Sequence, residues 1–369
     1  MRLFDTHCHI HEAAFKLKSD DATRALWLKA GSPDPKILVQ QAQSAGLVGM
    51  ICVGTTVTDS ALAVELAQEC DGVWASIGVH PHEAKIERFQ ELEEILSKVM
   101  HLEHSSVSHV SISDKRSDID AGKANIRHRR MTLGATMSEV IEPKKGAGGT
   151  LRRGLASSVE PHRSLVMGGR EEGTPFAAAD LSARINGRSL GDRTHDVLQL
   201  SKLVAIGECG LDYFYNHSPK KTQIKALRFQ IELALKYNLP LIFHVREAFD
   251  DFWPIFDEYK GIRGVIHSFT DTPANLDKIL KRGLSVGVNG IATFTKNEHQ
   301  LQAYKSIPLA NLMLETDSPF LTPIPLRGRV NVPANTSLVA EFLAELRSES
   351  LSELAEVTTQ NALKLFSIN

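Results

Sequence analysis

The sequence is poor in cysteine, in aromatic residues and in net charge. Its 369 residues include only four cysteines, and Phe, Trp and Tyr together make up 6% of the chain. Lys and Arg number 42 against 44 for Asp and Glu, which gives a formal net charge of −2. So few cysteines in so long a chain exclude a small disulfide-stapled scaffold. The balanced charge excludes a globally basic surface, so a nucleic-acid ligand would need a local site.

Long apolar segments are missing as well. The first residues reach Asp5 and His7 at once, which predicts no signal peptide there, and no run of eighteen or more apolar residues follows. Hydrophobic residues make up 42% and charged residues 23% of the chain, as in an ordinary globular protein. These features predict a reduced, cytoplasmic protein with no membrane partner. They indicate no obligate protein partner.

The composition changes once along the chain, between residues 101 and 195. This segment contains a single aromatic residue, Phe176, and 11 of the 25 glycines. Lys and Arg number 15 there against 11 for Asp and Glu, a net charge of +4. Periodic apolar patterns are scarce, so the segment has little to bury. We predict a loosely ordered or disordered insertion in a single domain spanning residues 1–369.

The remainder of the chain alternates short β-branched runs with amphipathic helical patterns. The eight predicted strands are residues 3–6, 49–53, 73–78, 203–207, 239–243, 264–266, 284–288 and 312–315. The predicted helices are residues 35–45, 58–70, 87–100, 219–237, 248–259, 272–282, 299–306, 334–348 and 350–366. Eight strand–helix units in the roughly 270 residues outside the insertion, near the ~250 typical of such a domain, predict an α/β fold, the (β/α)8 TIM barrel. The insertion then lies between helix 3 and strand 4. A doubly wound open sheet is the alternative, but no Gly-x-Gly-x-x-Gly follows the first strand.

Residues of the metal-ligand type stand at the carboxyl ends of five predicted strands. They are His7, His9, Glu208, His244, His267 and Asp317. Taken singly, such a histidine is more often structural, and such a carboxylate often caps a helix. Taken together they predict a metal site, because a barrel directs the carboxyl ends of its strands to one place. Six ligands suit two divalent ions better than one, with Zn²⁺, Mn²⁺ or Mg²⁺ as candidates.

Several ordered motifs resemble the TatD family of metal-dependent deoxyribonucleases. They are Asp5-Thr6-His7-Cys8-His9, Ile77-Gly78-Val79-His80-Pro81-His82, Ala205-Ile206-Gly207-Glu208-Cys209-Gly210-Leu211-Asp212-Tyr213, Leu239-Pro240-Leu241-Ile242-Phe243-His244 and Leu314-Glu315-Thr316-Asp317-Ser318-Pro319-Phe320-Leu321-Thr322-Pro323. The loop from Arg327 to Pro333 is similar to the family's loop after strand 8. The resemblance covers both flanks of the insertion, and the insertion itself departs from the family pattern.

The resemblance implies a division of the six ligands between two ions. His7, His9 and Asp317 would hold one ion, and His244 and His267 would hold the other. Glu208 would bridge them, which agrees with its chemistry, since a carboxylate has two oxygens and an imidazole cannot span two ions. The implied activity is that of a metal-dependent hydrolase, a deoxyribonuclease that cleaves phosphodiester bonds of DNA.

Three further residues are predicted to bind substrate. His80, at the end of the third strand, is placed to contact the scissile phosphate or to protonate the leaving oxygen, and a structural role is an equal alternative. Arg246 is spaced to follow His244 on the same side of its strand, where bidentate phosphate binding is expected. A surface ion pair with Glu247 or Asp250 is its alternative. Arg327 lies in the loop after strand 8, as does Arg329.

The catalytic residues predicted from this pattern are Asp317 and Glu208. Asp317 would act as general base, because it ligates an ion beside the attacking water. Two other functions stay open. The same barrel could hydrolyse a carboxylic ester, as in a deacylase of aminoacyl-tRNA, since fold does not determine substrate. A non-catalytic interaction scaffold is the third hypothesis, and the presence of all six ligands disfavours it.

Overall fold

The structure is a computed structural model that describes residues 1–14, 22–85, 91–97, 202–215 and 217–368. The predicted insertion at 101–195 lies outside these residues. All four cysteines lie within them, and all are free thiols. In the described part of the chain, no helix is long and apolar enough to cross a membrane.

Eight parallel strands form one sheet in which each strand pairs with the next along the chain. They are β1 (Leu3–Cys8), β2 (Leu47–Val53), β3 (Val73–Ile77), β4 (Leu203–Asp212), β5 (Leu241–Arg246), β6 (Gly264–Ile266), β7 (Ser285–Val288) and β8 (Leu312–Leu314). Most strand residues are buried, as expected for a parallel sheet that is covered by helices. The predicted (β/α)8 barrel is therefore confirmed.

Helices connect the strands and close the chain. They are Ala22–Lys29, Pro35–Ser44, Val57–Glu69, residues 91–97, Lys220–Tyr237, Phe249–Asp257, Pro273–Lys281, Ile291–Phe294, Glu298–Ser306, Thr336–Arg347 and Leu351–Leu365. Short 3-10 turns cover Ile10–Ala14, Pro81–Glu83, Leu309–Asn311 and Pro333–Asn335. Helices Ala22–Lys29 and Ile291–Phe294 are absent from the sequence prediction, because both are short and the first carries only one buried residue, Trp27.

Strands β4 and β5 extend further than predicted. We expected them to end at residues 207 and 243, but pairing continues from Cys209–Phe243 to Asp212–Arg246. This stretch contains polar residues, so a pattern of apolar residues does not predict that the strands continue. Gly210 permits the close approach of the two strands, since a Cβ there would lie 1.8 Å from the carbonyl oxygen of His244. As a result Glu208 and His244 stand on paired strands rather than in loops.

The first and last strands meet at the carboxyl end of the barrel. A parallel bridge joins Cys8 to Ser318. The buried carboxylate of Asp5 accepts hydrogen bonds from the backbone N–H of Thr316 at 2.9 Å and from its hydroxyl at 2.6 Å. The backbone N–H of Asp317 donates to the carbonyl of His7 at 2.8 Å. This seam places the polar end of β1 beside the residues that follow β8.

Candidate metal centre

The six predicted ligands lie together at the carboxyl end of the barrel. Four of them are buried: His7, His9, Glu208 and His267. His244 and Asp317 are partly exposed. The six come from β1, β4, β5 and the residues that directly follow β1, β6 and β8. The expectation that a barrel would bring these side chains to one place holds for all six.

One group of ligand atoms faces the Oε2 oxygen of Glu208. The Nε2 atom of His7 lies 3.2 Å from this oxygen and 3.2 Å from Nε2 of His9. The Oδ1 oxygen of Asp317 lies 3.4 Å from Nε2 of His9 and 3.7 Å from Nε2 of His7. Metal–ligand bonds of 2.0–2.2 Å at tetrahedral or octahedral angles separate neighbouring ligand atoms by about 2.8–3.6 Å. The spacing in this group is close to that range.

A second group faces the other oxygen of the same carboxylate. Oε1 of Glu208 lies 2.8 Å from Nδ1 of His244, 3.5 Å from Nε2 of His80 and 3.7 Å from Nε2 of His267. The rings of His7 and His267 stack with their centroids 3.6 Å apart, so the two groups are contiguous. Glu208 therefore stands between two sets of imidazoles and turns one oxygen toward each.

Backbone contacts orient the His9 ring. Its Nδ1 atom lies 2.9 Å from the carbonyl oxygen of Val53, and because a carbonyl can only accept, Nδ1 is the protonated nitrogen. In the neutral ring the lone pair then lies on Nε2, which faces Asp317 and His7. The indole N–H of the buried Trp27 donates to the carbonyl of His9 at 3.1 Å. The strand end is thus held from both sides.

A buried carboxylate, Glu315, orients the His267 ring. Its Oε1 atom lies 3.0 Å from Nδ1 of His267 and accepts from the backbone N–H of Ser268 at 2.7 Å and from the Asn289 amide at 3.2 Å. Carboxylate contacts of this kind fix which nitrogen of a histidine faces a metal. We did not predict a role for Glu315. Its position two residues before Asp317 was the available signal.

Asp212 plays the same part for His244. Its Oδ2 atom lies 2.9 Å from Nε2 of His244 and 3.1 Å from Nε2 of His82. Its Oδ1 atom accepts from the backbone N–H groups of Phe214 and Tyr215. One oxygen of Asp212 thus contacts the two histidines, and the other forms the turn after β4.

The histidines determine the charge of Glu208. Burial by itself raises the pKa of a carboxyl group, but here neighbouring imidazoles outweigh it and hold the pKa of Glu208 well below its usual value. The imidazoles that act in this way belong to His7, His80, His267 and His244. Burial also opposes ionisation of Asp317, and the contacts with His9, His267 and His7 lower its pKa. Both groups are therefore carboxylates, the form that binds cations.

His80 presents a hydrogen-bond donor to the centre. Its Nδ1 atom accepts from the backbone N–H of His82 at 3.1 Å, so in the neutral ring the proton lies on Nε2. Burial lowers the pKa of His80 well below its usual value and favours that neutral form. Nε2 faces Glu208, at the distance given above. A donor in this place differs from a metal ligand, which must offer a lone pair.

The two predicted phosphate-binding arginines make contacts with aromatic rings. The Arg246 guanidinium lies 4.1 Å from the ring centroid of Phe214 and 4.7 Å from that of Tyr215. The Arg327 guanidinium lies 3.8 Å from the ring of Phe294, and it donates to a loop carbonyl, that of residue 322, at 2.9 Å. Both side chains are exposed, as is Arg329.

A second buried cluster of similar composition lies just after β1. His11, Glu12 and Asp59 are each at most 4% exposed. Nε2 of His11 lies 2.5 Å from Oδ1 of Asp59, whose Oδ2 accepts from the backbone N–H of Thr55 at 2.6 Å and from its hydroxyl at 3.0 Å. Arg24 pairs with Glu12 at 3.4 Å. Here the oppositely charged groups contact each other directly.

The donor set of the main centre fits divalent metal ions. Imidazole nitrogens and carboxylate oxygens converge on one another at ligand spacing, with carboxylates kept ionised by their surroundings. Mixed histidine and carboxylate ligation at the carboxyl end of a (β/α)8 barrel is the arrangement of a metal-dependent hydrolase.

The comparisons with known proteins place this hydrolase in a family. The family model "TatD related DNase" matches residues 4–111 and 183–367. The chain therefore belongs to the TatD family of metal-dependent hydrolases. The model leaves residues 112–182 unmatched, within the predicted insertion.

Individual relatives agree with this assignment. The chain is 41% identical over 170 residues to "uncharacterized metal-dependent hydrolase YabD" of Bacillus subtilis, covering 46% of this chain and 67% of that protein. It is 37% identical over 179 residues to "3'-5' ssDNA/RNA exonuclease TatD" of Rahnella, covering 46% of this chain and 67% of that protein. The crystal structure of the TatD homologue YJJV from Escherichia coli superposes with a TM-score of 0.62 at 20% identity, covering 100% and 98% of the two chains, and supports the fold.

Proposed function

We propose that this protein is a nuclease that hydrolyses phosphodiester bonds with two divalent ions. In this proposal His7, His9 and Asp317 hold one ion, and His244 and His267 hold the other, with Glu208 between them. The observation that carries it is the orientation of Glu208, whose Oε2 lies 3.2 Å from His7 while Oε1 lies 2.8 Å from His244. A carboxylate that only paired with one histidine would not need both oxygens so engaged.

The reaction follows from the charge of the substrate. When bound, two divalent ions would supply positive charge that neutralises a phosphodiester and would lower the pKa of the attacking water. Asp317 accepts the proton of that water as general base, since its carboxylate is ionised and partly exposed. His80 binds the scissile phosphate or donates its Nε2 proton to the leaving oxygen. Glu208, which faces both ligand groups, fixes their positions relative to each other.

The substrate is proposed to be nucleic acid, DNA in the first instance. The family carries the description of a DNase, and the Rahnella relative is named as an exonuclease of ssDNA and RNA. Two exposed guanidinium groups, those of Arg246 and Arg327, are available for phosphate oxygens. An anionic polymer suits this arrangement better than a neutral ester does.

The test is a metal-reconstitution assay. The purified protein is stripped with chelator, reloaded with Mg²⁺, Mn²⁺ or Zn²⁺, and offered end-labelled single- and double-stranded DNA, RNA and a small carboxylic ester. We expect two bound ions per chain and cleavage of nucleic acid. Hydrolysis of the ester, or of an aminoacyl-tRNA ester, without phosphodiester cleavage would instead establish the esterase alternative.

The role of Asp317 is tested by Asp317→Asn. The amide keeps the size and one oxygen of the side chain but cannot accept the proton, so turnover should fall by about 10²–10⁴-fold. Binding of substrate should change much less. Turnover at the wild-type rate, measured with the same metal content, would remove Asp317 from the mechanism.

The segment at 101–195 is proposed to be an insertion into the single barrel domain. It supplies none of the six ligands, and the family model spans both of its flanks. Replacement of residues 103–194 with a short Gly/Ser linker should leave metal content and the rate on short oligonucleotides intact. A folded variant that is inactive on short substrates would contradict this. Its net charge of +4 predicts a salt-sensitive effect on long nucleic acid.

A further inference from the structure

Two exposed aromatic rings stand directly beyond the end of β4. Phe214 is 50% exposed and Tyr215 is 51% exposed. Their backbone is fixed, because Oδ1 of Asp212 accepts from the N–H of Phe214 at 3.0 Å and of Tyr215 at 2.9 Å. The ring centroids lie 4.8 Å apart at an interplanar angle of 89°. We call these two rings, with Arg246, the aromatic shelf.

Arg246 completes the shelf. Its guanidinium lies against both rings, at the distances given above, and the side chain is exposed. Among the residues that the structure describes, no carboxylate forms an ion pair with Arg246, so the predicted alternative of a pair with Glu247 or Asp250 is not observed. The donors of the guanidinium plane are thus available to an anion, while its face lies on aromatic carbon.

The shelf adjoins the metal centre through histidine rings, one of which, His217, stacks on Tyr215 with the centroids 5.6 Å apart. The ring centroid of His82 lies 5.5 Å from that of Tyr215 and 6.3 Å from that of His244. Nε2 of His82 lies 3.1 Å from Oδ2 of Asp212, the same oxygen that contacts His244. The shelf is therefore on the His244 side of Glu208, and Asp212 holds both the turn that presents the rings and the ligand ring.

We propose that the aromatic shelf is a nucleobase subsite, on which a base next to the scissile phosphate stacks against Phe214 or Tyr215 while Arg246 contacts the adjoining phosphate. This rests on the proposed nuclease function. Exposed rings beside a cation are how proteins hold single-stranded nucleic acid without reading its sequence, because every base has a π face. The bases of a duplex have their faces covered by stacking, so the subsite takes an unpaired base.

The proposal is tested with oligonucleotides that differ only in their bases. A short single-stranded DNA is compared with one of equal length that carries abasic tetrahydrofuran residues, and kcat/KM is measured for both. The wild type should prefer the base-bearing strand by about 5–150-fold for each stacked base. In Phe214→Ala/Tyr215→Ala this preference should fall to near unity, mainly through KM. Phe214→Trp should keep it.

A matched control removes an exposed apolar side chain elsewhere. Ile37, in helix Pro35–Ser44, is 50% exposed, and Ile37→Ala should keep the wild-type preference. If the double alanine variant keeps the full preference, the subsite is refuted. It is equally refuted if the variant loses activity on both strands by the same factor, because the rings would then act on the backbone or on the fold.

Failure of the nuclease function would be seen separately. If the wild type cleaves neither strand with any of the three metals, binding of both labelled strands is measured by fluorescence anisotropy in chelator, where no hydrolysis is needed. A base-dependent affinity that disappears in the double alanine variant supports the shelf. Affinity that does not depend on the bases overturns it.

Discussion

Two clusters of histidine and carboxylate each include residues from the end of β1, and they differ in how their polar atoms meet. Around Glu208, nitrogen and oxygen atoms face one another mostly at 3.2–3.7 Å. The second ring nitrogens of His9, His267 and His244 contact Val53, Glu315 and Asp212. Around Asp59, Nε2 of His11 contacts Oδ1 of the carboxylate at 2.5 Å, and the backbone N–H and hydroxyl of Thr55 donate to Oδ2.

Residue composition alone therefore does not identify a metal site. Both clusters are buried, and both contain the residue types that bind cations. In the first, several imidazoles and a second carboxylate surround the two oxygens of Glu208, an arrangement that suits a bound cation. In the second, an imidazolium already neutralises the carboxylate, which leaves a metal ion no charge to balance. The first is arranged for binding and the second for stabilising the end of β1.

Of the substitutions that test this comparison, Glu208→Gln should have the largest effect. The substitution keeps the size of the side chain but removes the charge that would balance the two proposed cations, which is worth several kcal/mol in the transition state. Since about 1.4 kcal/mol is tenfold in rate, hydrolysis should fall by a factor on the order of a thousand. Metal content, measured by elemental analysis, should fall as well. Two bound ions and the wild-type rate in this variant would show that Glu208 does not bridge.

The counterpart in the second cluster is Asp59→Asn. Breaking a buried ion pair from one side costs about 3–5 kcal/mol, so the free energy of unfolding in urea should fall by that amount. Metal content at a temperature where the variant is folded should equal that of the wild type. Loss of metal in Asp59→Asn would abolish the distinction between the two clusters.

The loss of stability in Asp59→Asn should depend on pH in a definite direction. Burial opposes ionisation of both partners, but the pairing lowers the pKa of Asp59 and raises that of His11 well above its usual value. The Asp59 contribution is present above its unfolded pKa and is lost as the pH falls through the lowered one. The His11 contribution is present below its unfolded pKa and is lost as the pH rises through the raised one. The stability lost in Asp59→Asn should therefore be greatest between about pH 4 and 6.5.

A smaller loss of phosphodiester binding is expected from Arg246→Ala, which alters neither cluster. A charge-assisted contact worth about 1.5–3 kcal/mol should be lost, which corresponds to an increase in KM of roughly 10–150-fold. Arg246→Lys should recover part of it, because the charge returns without the planar face. Hydrolysis of an uncharged ester serves as the control. Equal losses on both substrates would indicate a structural role for Arg246.

The smallest effect on the main centre is expected from Glu315→Gln. The variant keeps an oxygen near His267 but weakens its hold on the ring, so metal affinity should fall by about 10–100-fold while ligand number is unchanged. Competition with a metallochromic chelator measures this. Glu341→Gln, on an exposed position of helix Thr336–Arg347, is the matched control. An unchanged affinity would show that Glu315 does not position His267.

The sequence was sufficient for the barrel and for the convergence of the six ligands, because strand ends in a barrel meet wherever they lie along the chain. It was not sufficient to separate a proposed metal ligand from a residue that contacts one. Glu315 and Asp317 are two residues apart, and only the contact of Glu315 with Nδ1 of His267 distinguishes them.

The contacts of Arg246 with the two rings also could not be predicted from the sequence. Its spacing from His244 predicted an exposed guanidinium near the site, and the side chain is exposed. The rings beneath it come from the turn after β4, which forms because Asp212 accepts two backbone hydrogen bonds. Strand β4 itself continues past the predicted end, so neither ring could be placed from a pattern of apolar residues.

The seam between β1 and β8 determines when, during folding, half of the metal centre can form. The hydrogen bonds that close it join residues 308 and 311 positions apart in sequence. His7 and Asp317 lie on its two sides, so their half of the centre forms only after the last strand has docked on the first. Contacts this distant are slow to form and assemble late. Because ions that bind only the native state stabilise it, metal uptake during refolding should report the closing of the barrel and hold it closed.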